Sequence, residues 1–170
     1  GGDASSALLS GPMGVWGDSN GNIFITDTVS GYIRRVDTAF KISTIAGNPT
    51  SVVPYQVATV SARSARLSAY GIVGDSVGNL YFADYNNTII RMLRPVTSTS
   101  YNITTYAGVY QTMGSVGNAF TGDPTSVLIG APVYLFLDSN NQLYFTDSTN
   151  LVRSVSISLD PTSQPTSQPS

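Results

Sequence analysis

Three stretches of this chain repeat one another, and that repetition restricts its fold more than any other feature. GVWGDSNGNIFITDTVSGYIRRV starts at Gly14, GIVGDSVGNLYFADYNNTIIRML at Gly71 and YLFLDSNNQLYFTDSTNLVRSV at Tyr134. The register residues Asp18, Asp75 and Asp138 lie 57 and then 63 positions apart. Each unit reads as a short strand, a tight turn, a longer strand, a second turn and a third strand. The first two units continue into a fourth strand with a shared ending, KISTIAG up to Gly47 and YNITTYAG up to Gly108.

The first turn of each unit has a physical logic. Asp18 with Gly21, and Asp75 with Gly78, put a carboxylate where it can accept turn amides and a glycine where φ is positive. Asn141 stands at the glycine position of the third unit, beside Asp138, and Asn is the best non-glycine residue for a left-handed conformation. In the second strands, Ile23-Phe24-Ile25, Leu80-Tyr81-Phe82 and Leu143-Tyr144-Phe145 are apolar on both faces. A half-buried sheet would alternate, whereas a sheet packed between two others buries both faces. A two-sheet sandwich is the alternative, with more polar outer faces.

Four strands per unit at this spacing predict an all-β fold, a partial β-propeller of about three four-stranded antiparallel blades. The propeller segment covers residues 1–159, with units near 14–47, 71–108 and 134–159, and residues 160–170 form a disordered Pro/Ser/Thr/Gln-rich linker or stalk. Three blades leave two open faces, so further blades of the same chain are expected. The Gly1-Gly2 start and the low-complexity end are those expected of an excerpt from a longer protein. The linkers echo each other too: GDASSALLSGP before the first unit matches GDPTSVLIGAP before the third. Leu8, Leu67 and Leu128 are expected to anchor the linkers to the core. Residues 48–66 and 109–121 read as loops, where recognition usually sits on a rigid scaffold.

Composition narrows the chemistry. Eight basic and ten acidic residues give a net charge of -2 with no basic stripe, so nucleic acid is not an expected partner. There is no His and no Cys, which removes the usual general base near neutral pH and the commonest zinc ligands. No apolar run is long enough for a membrane span. Ser and Thr are plentiful, yet no G-x-S-x-G elbow accompanies them.

Asp27, Asp84 and Asp147 end the second strands, and Arg34, Arg91 and Arg153 lie in the third. A catalytic pair is needed once, whereas this pair recurs in every unit, so it is read as a structural blade pair. Trp16 shares its position with Val73 and Phe136, which reads as core. Tyr32, Tyr55, Tyr85 and Tyr110 are scattered along the chain. Asn86 and Asn102 head N-x-T tripeptides and are candidate N-glycosylation sites.

The blade text has an Asp-Ser-x-Gly-Asn turn, an aromatic second strand ending in Asp, an Ile-Arg third strand and an Ala-Gly ending. It resembles the NHL repeat, a propeller repeat usually found as six blades. That resemblance implies binding of proteins and, in some members, RNA through a positive face that this sequence lacks. A zinc-dependent lyase of the same fold uses His ligands absent here. Calcium in the complete propeller, held by oxygen ligands, fits related propellers. The tail resembles Pro-Thr-Ser-Gln-Pro repeats of large proteins of diatoms and related algae. Together these readings predict a binding or interaction scaffold of a larger extracellular or cell-surface protein, with an unknown protein or glycan partner and no catalytic, cofactor or metal residue in this stretch. The alternatives are a calcium-supported hydrolase or lyase with its active residues outside this stretch, and a purely structural spacer.

Overall fold

A computed structural model describes residues 2–51, 60–114 and 123–156. The proline-rich tail, Tyr55 and parts of both long loops lie outside the described residues. The strands form three antiparallel sheets, one per repeat. The first holds β1 (Gly2–Asp3), β2 (Pro12–Gly17), β3 (Ile23–Asp27), β4 (Tyr32–Val36) and β5 (Lys41–Ala46). The second holds β6 (Val60–Ser61), β7 (Ala69–Gly74), β8 (Leu80–Asp84), β9 (Ile89–Pro95) and β10 (Tyr101–Ala107). β11 (Pro132–Leu137), β12 (Gln142–Asp147) and β13 (Val152–Ser156) form the third. Within each sheet the main strands follow chain order, and the short strand joins the outer edge: β1-β5-β4-β3-β2, then β6-β10-β9-β8-β7, then β11-β12-β13.

Two of the expected four-stranded blades therefore have five strands. The reason lies in the linkers: an unpaired edge of β5 or β10 would leave backbone amides and carbonyls open. Gly2 and Asp3 pair with Ile42 and Lys41, and Ser61 and Val60 pair with Asn102 and Ile103. The segment read as a loop up to Arg66 thus supplies a strand and a 3-10 turn at Ala62–Ser64. Related turns occupy Ala4–Ser6 and Pro124–Ser126, where Asp3 and Asp123 accept the amides of Ser5 and Thr125.

The sheets stack as blades, with β2, β7 and β11 lying side by side across the stack. Call the face of each blade toward the next its front and the other its rear. Phe24, Ile33 and Ile45 at the front of the first blade pack with Ile72, Leu80, Phe82 and Leu93 at the rear of the second. Val73, Tyr81, Ile90 and Met92 then meet Leu143 and Phe145 of the third, and Trp16 touches both cores. This is why the second strands are apolar on both sides, and it distinguishes stacked blades from a two-sheet sandwich.

Blade spacing depends on two glycines. A Cβ on Gly14 would lie 2.5 Å from the Tyr70 carbonyl oxygen, and one on Gly71 would lie 2.8 Å from that of Val133. Thr26 strengthens the first seam by donating its hydroxyl to the Tyr70 carbonyl at 2.6 Å.

Of the three expected linker anchors, only Leu67 reaches the core as expected. Leu67 is buried, but Leu8 is 92% exposed and Leu128 is only half-buried. In the third linker Ile129 enters the core as Leu67 does in the second, whereas Leu9 at the matching position of the first is 37% exposed. In all three the backbone amide of the next residue is drawn to the Asp that ends the second strand. Ser10, Ser68 and Gly130 donate to Asp27, Asp84 and Asp147 at 2.6, 2.9 and 3.0 Å. Phe136 also departs from the core reading. Its side chain points forward from the third blade and is exposed, while Val73 at the same position is buried by that blade.

Candidate functional site

In the first turn, Asp18, Asp75 and Asp138 each accept two backbone amides, two and four residues ahead, at 2.8–3.1 Å. Gly21, Gly78 and Asn141 take φ of 80°, 90° and 61°. Asn22 and Asn79 add an amide bond to the second carboxylate oxygen of Asp18 and Asp75, at 2.7 and 2.8 Å. Tyr81 also donates to Asp75, and burial above all pushes its hydroxyl pKa up. These carboxylates are committed to turns.

The structure brings each Asp of the second strand to its Arg. Arg34 and Asp27 are 3.7 Å apart, Arg91 and Asp84 are 3.7 Å apart, and Arg153 and Asp147 are 2.7 Å apart. Since each Asp also holds a linker amide, the pair joins the linker, the second strand and the third strand. All six residues face the rear of their blades, and of them only Arg34, on the uncovered rear of the first blade, lines an open hollow among the described residues.

An open cleft lies elsewhere, between the first two blades at the end where β3 turns into β4. It measures about 650 Å³ and is lined by Thr28, Pro49, Arg66, Ser68, Tyr70 and Gln111, among others. Both blades contribute. Tyr70 stacks on Tyr85 with centroids 4.6 Å apart and planes 25° from parallel. Tyr110 and Asn86 reach the same cleft. Of the tyrosines that look scattered in sequence, Tyr110 lines this cleft and Tyr85 stacks on its wall residue Tyr70, while Tyr32 lies outside it. Among the described residues the cleft's only charged lining residue is Arg66, which is exposed.

The cleft wall is supported from beneath by Asp84. This buried carboxylate accepts the Ser68 amide at 2.9 Å and the Asn87 side-chain amide at 2.7 Å. Asn87 in turn accepts the Gln111 amide through its carbonyl at 2.9 Å. Burial raises the Asp84 pKa to about 6, against the opposing effects of Arg91 and the Ser68 and Asn87 bonds. Asp84 is a positioning residue here: it touches the wall but does not face the cleft.

A smaller hollow of about 340 Å³ opens between the same blades at the opposite end, near Trp16, Asn22 and Tyr101. Arg35 spans it, donating to Asn22 at 2.7 Å and to the Ser98 carbonyl at 3.0 Å. Its cation is engaged as a tie between blades. Among the described residues no three His, Cys, Asp or Glu side chains converge on one point, so these blades offer no carboxylate cluster to calcium. No described helix is long and apolar enough to cross a membrane. Of the two sequon asparagines, Asn86 is exposed at the cleft rim, and Asn102 is half-buried in β10 between β9 and β6.

Tyr70, Arg66 and Gln111 were not singled out by sequence. One signal was available: Tyr70 replaces Met13 and Val133 at its position in the repeat, so it departs from the blade pattern.

Three stacked antiparallel sheets with their first strands side by side define a segment of a β-propeller. No protein-family model and no curated protein matches the chain. Among solved structures it is similar to a protein of unknown function from Bacteroides thetaiotaomicron, with 16% identity and a TM-score of 0.64, covering 79% of this chain and 32% of that one. It is also similar to a catalytically inactive virginiamycin B lyase from Staphylococcus aureus with quinupristin. There the identity is 14% and the TM-score 0.50, covering 91% of this chain and 44% of the lyase. The chain spans less than half the length of either structure. At such identities the likeness concerns the fold, which is that of a propeller.

Proposed function

We propose that this chain is a binding segment of a larger propeller, and that the cleft between its first two blades takes a hydrogen-bonding ligand, a glycan or a protein loop. The observation carrying this reading is the gathering of Tyr70, Tyr110, Asn86, Gln111 and Arg66 around one cleft founded on a buried scaffold, with Tyr85 stacked on Tyr70. Tyrosine offers a flat face and a polar end, and amides and hydroxyls supply directional bonds, a combination suited to sugar rings or backbone groups. The hydroxyl-rich, weakly charged composition and the exposed Asn86 sequon support an extracellular or cell-surface setting. Calcium, if used, belongs to the complete propeller.

The test is a glycan microarray together with a pull-down from extracellular extracts, using the chain and its Tyr70→Ala and Arg66→Ala variants. A partner whose binding falls about ten-fold in Tyr70→Ala supports the cleft, since an aromatic contact contributes about 0.5–1.5 kcal/mol beyond the area it covers. Equal binding by all three proteins sinks it. Lyase chemistry in other blades remains the alternative, consistent with the propeller fold shared with virginiamycin B lyase. Metal-dependent turnover by the longer protein, abolished by chelation, would favour it. A pure spacer predicts no saturable ligand in either assay.

A further inference from the structure

Three copies of one blade allow each surface to be compared with its counterparts. The rear face is covered in two copies: Ile72 and Leu80 of the second blade are 4% and 1% exposed, and Leu143 and Phe145 of the third are buried. The first blade carries the same apolar surface. There Val15 and Ile23, the counterparts of Ile72 and Leu80, are 69% and 43% exposed, with Met13 beside them. What covers this surface in the other two copies is the front of another blade. In both cases that front presents a glycine, Gly14 or Gly71, against the backbone of the blade it meets.

The third front face breaks this rule. Tyr134 occupies the position of Gly14 and Gly71, and it is 62% exposed. Phe136 and Tyr144 flank it, with ring centroids 6.3 Å apart. At the spacing of the first two seams, even a methyl group at this position would meet a backbone carbonyl or Cα at 3 Å or less. A phenol ring cannot be accommodated there.

We propose that the rear face of the first blade docks a further blade bearing glycine at the position of Gly14, and that Tyr134 prevents this chain's own front face from acting as that blade. The occupant follows from continuity with the two seams already formed: same surface, same apolar residues, same required glycine. A second copy presents a complementary front in every respect except Tyr134, so that side chain decides between a specific neighbour and head-to-tail self-association.

Sedimentation velocity on the 170-residue chain tests this with three variants. Wild type and Tyr134→Ala should sediment as monomers, since alanine keeps the obstructing Cβ. Tyr134→Gly should shift to a discrete dimer or a head-to-tail series, and adding Val15→Asp should return it to monomer. A Tyr134→Gly protein no heavier than Tyr134→Ala overturns the proposal. So does a wild type that already associates and is released by Val15→Asp. Far-UV circular dichroism and a cooperative melt of the Tyr134→Gly, Val15→Asp protein report whether glycine is tolerated. Hydroxyl-radical footprinting of wild type gives an arm that needs no variant: Met13 should oxidise well ahead of buried Met92, and equal protection of the two would mean that the rear face is already covered.

Discussion

Asp84 and Asp147 hold the same position in consecutive blades, yet their acidities move in opposite directions. Burial raises Asp84 to about 6, and the opposing pull of Arg91, 3.7 Å away, and of the Ser68 and Asn87 bonds does not cancel it. At Asp147 burial pushes the same way, but bonds from Thr149, Gly130 and Arg153 outweigh it, and the pKa is lowered. The signs then follow from linkage. Asp84 holds its proton more tightly when folded, so its contribution is fully present below its ordinary 3.8 and is lost as pH rises through about 6. Asp147 does the reverse: its contribution is present above 3.8 and disappears as pH falls through its lower folded value. Urea midpoints measured from acid to neutral pH should show Asp84→Asn removing a decline between about pH 4 and 6. Asp147→Asn should instead flatten the loss on the acid side.

At the scale of the element, the turn and the seam make separate demands on backbone space. Asn141 sits at φ 61°, a conformation glycine adopts without strain and β-branched residues resist. Asn141→Gly is expected to be neutral or to stabilise by up to about 1 kcal/mol, and Asn141→Val to cost about 1–2 kcal/mol, read from denaturant melts. Gly71 has no unusual φ; its constraint is the backbone of β11. Gly71→Ala should therefore cost about 1–3 kcal/mol through overpacking, although alanine is the better residue in most other contexts. The 3-10 turns and the two-residue strands β1 and β6 belong to this scale too. In the first two blades they convert the linker into the outer edge of the sheet.

For the molecule as a whole, position in the stack decides what a residue is worth. Val15 and Ile72 are equivalent in sequence, but only Ile72 has a blade over it. Ile72→Asp should unfold the chain or cost more than about 3 kcal/mol, because an unpaired charge would be buried. Val15→Asp should lie within about 0.5 kcal/mol of wild type, as surface changes do. Comparable losses in both variants, measured by urea melts, would show the first rear face to be covered. The same dependence on stacking explains Phe136: its repeat position says core, and its place in the last described blade leaves it exposed.

Much of this was legible because it is local. Asp18 to Gly21 and its two repeats announce a turn through side chains that reach only four residues, and the double-sided apolar strands announce stacking because both faces must leave water. The Asp and Arg columns showed themselves as scaffold by recurring. The linker register was less legible, since Leu128 and Ile129 are both apolar and only the amide of Gly130, drawn to Asp147, turns Ile129 inward. The cleft was harder still: Arg66, Tyr70, Asn86 and Gln111 span 45 positions in sequence and meet only when two blades are stacked and a linker is folded over them.

The repeats alone, then, determined the blade, its turns and the kind of side chain each position needs, because those depend on short-range geometry and on the period of burial. Only the tertiary structure decided which copies of each position are covered, where the cleft opens, and why glycine in two blades and tyrosine in the third are different statements. Those properties depend on the distance between sheets, and no single repeat contains that distance.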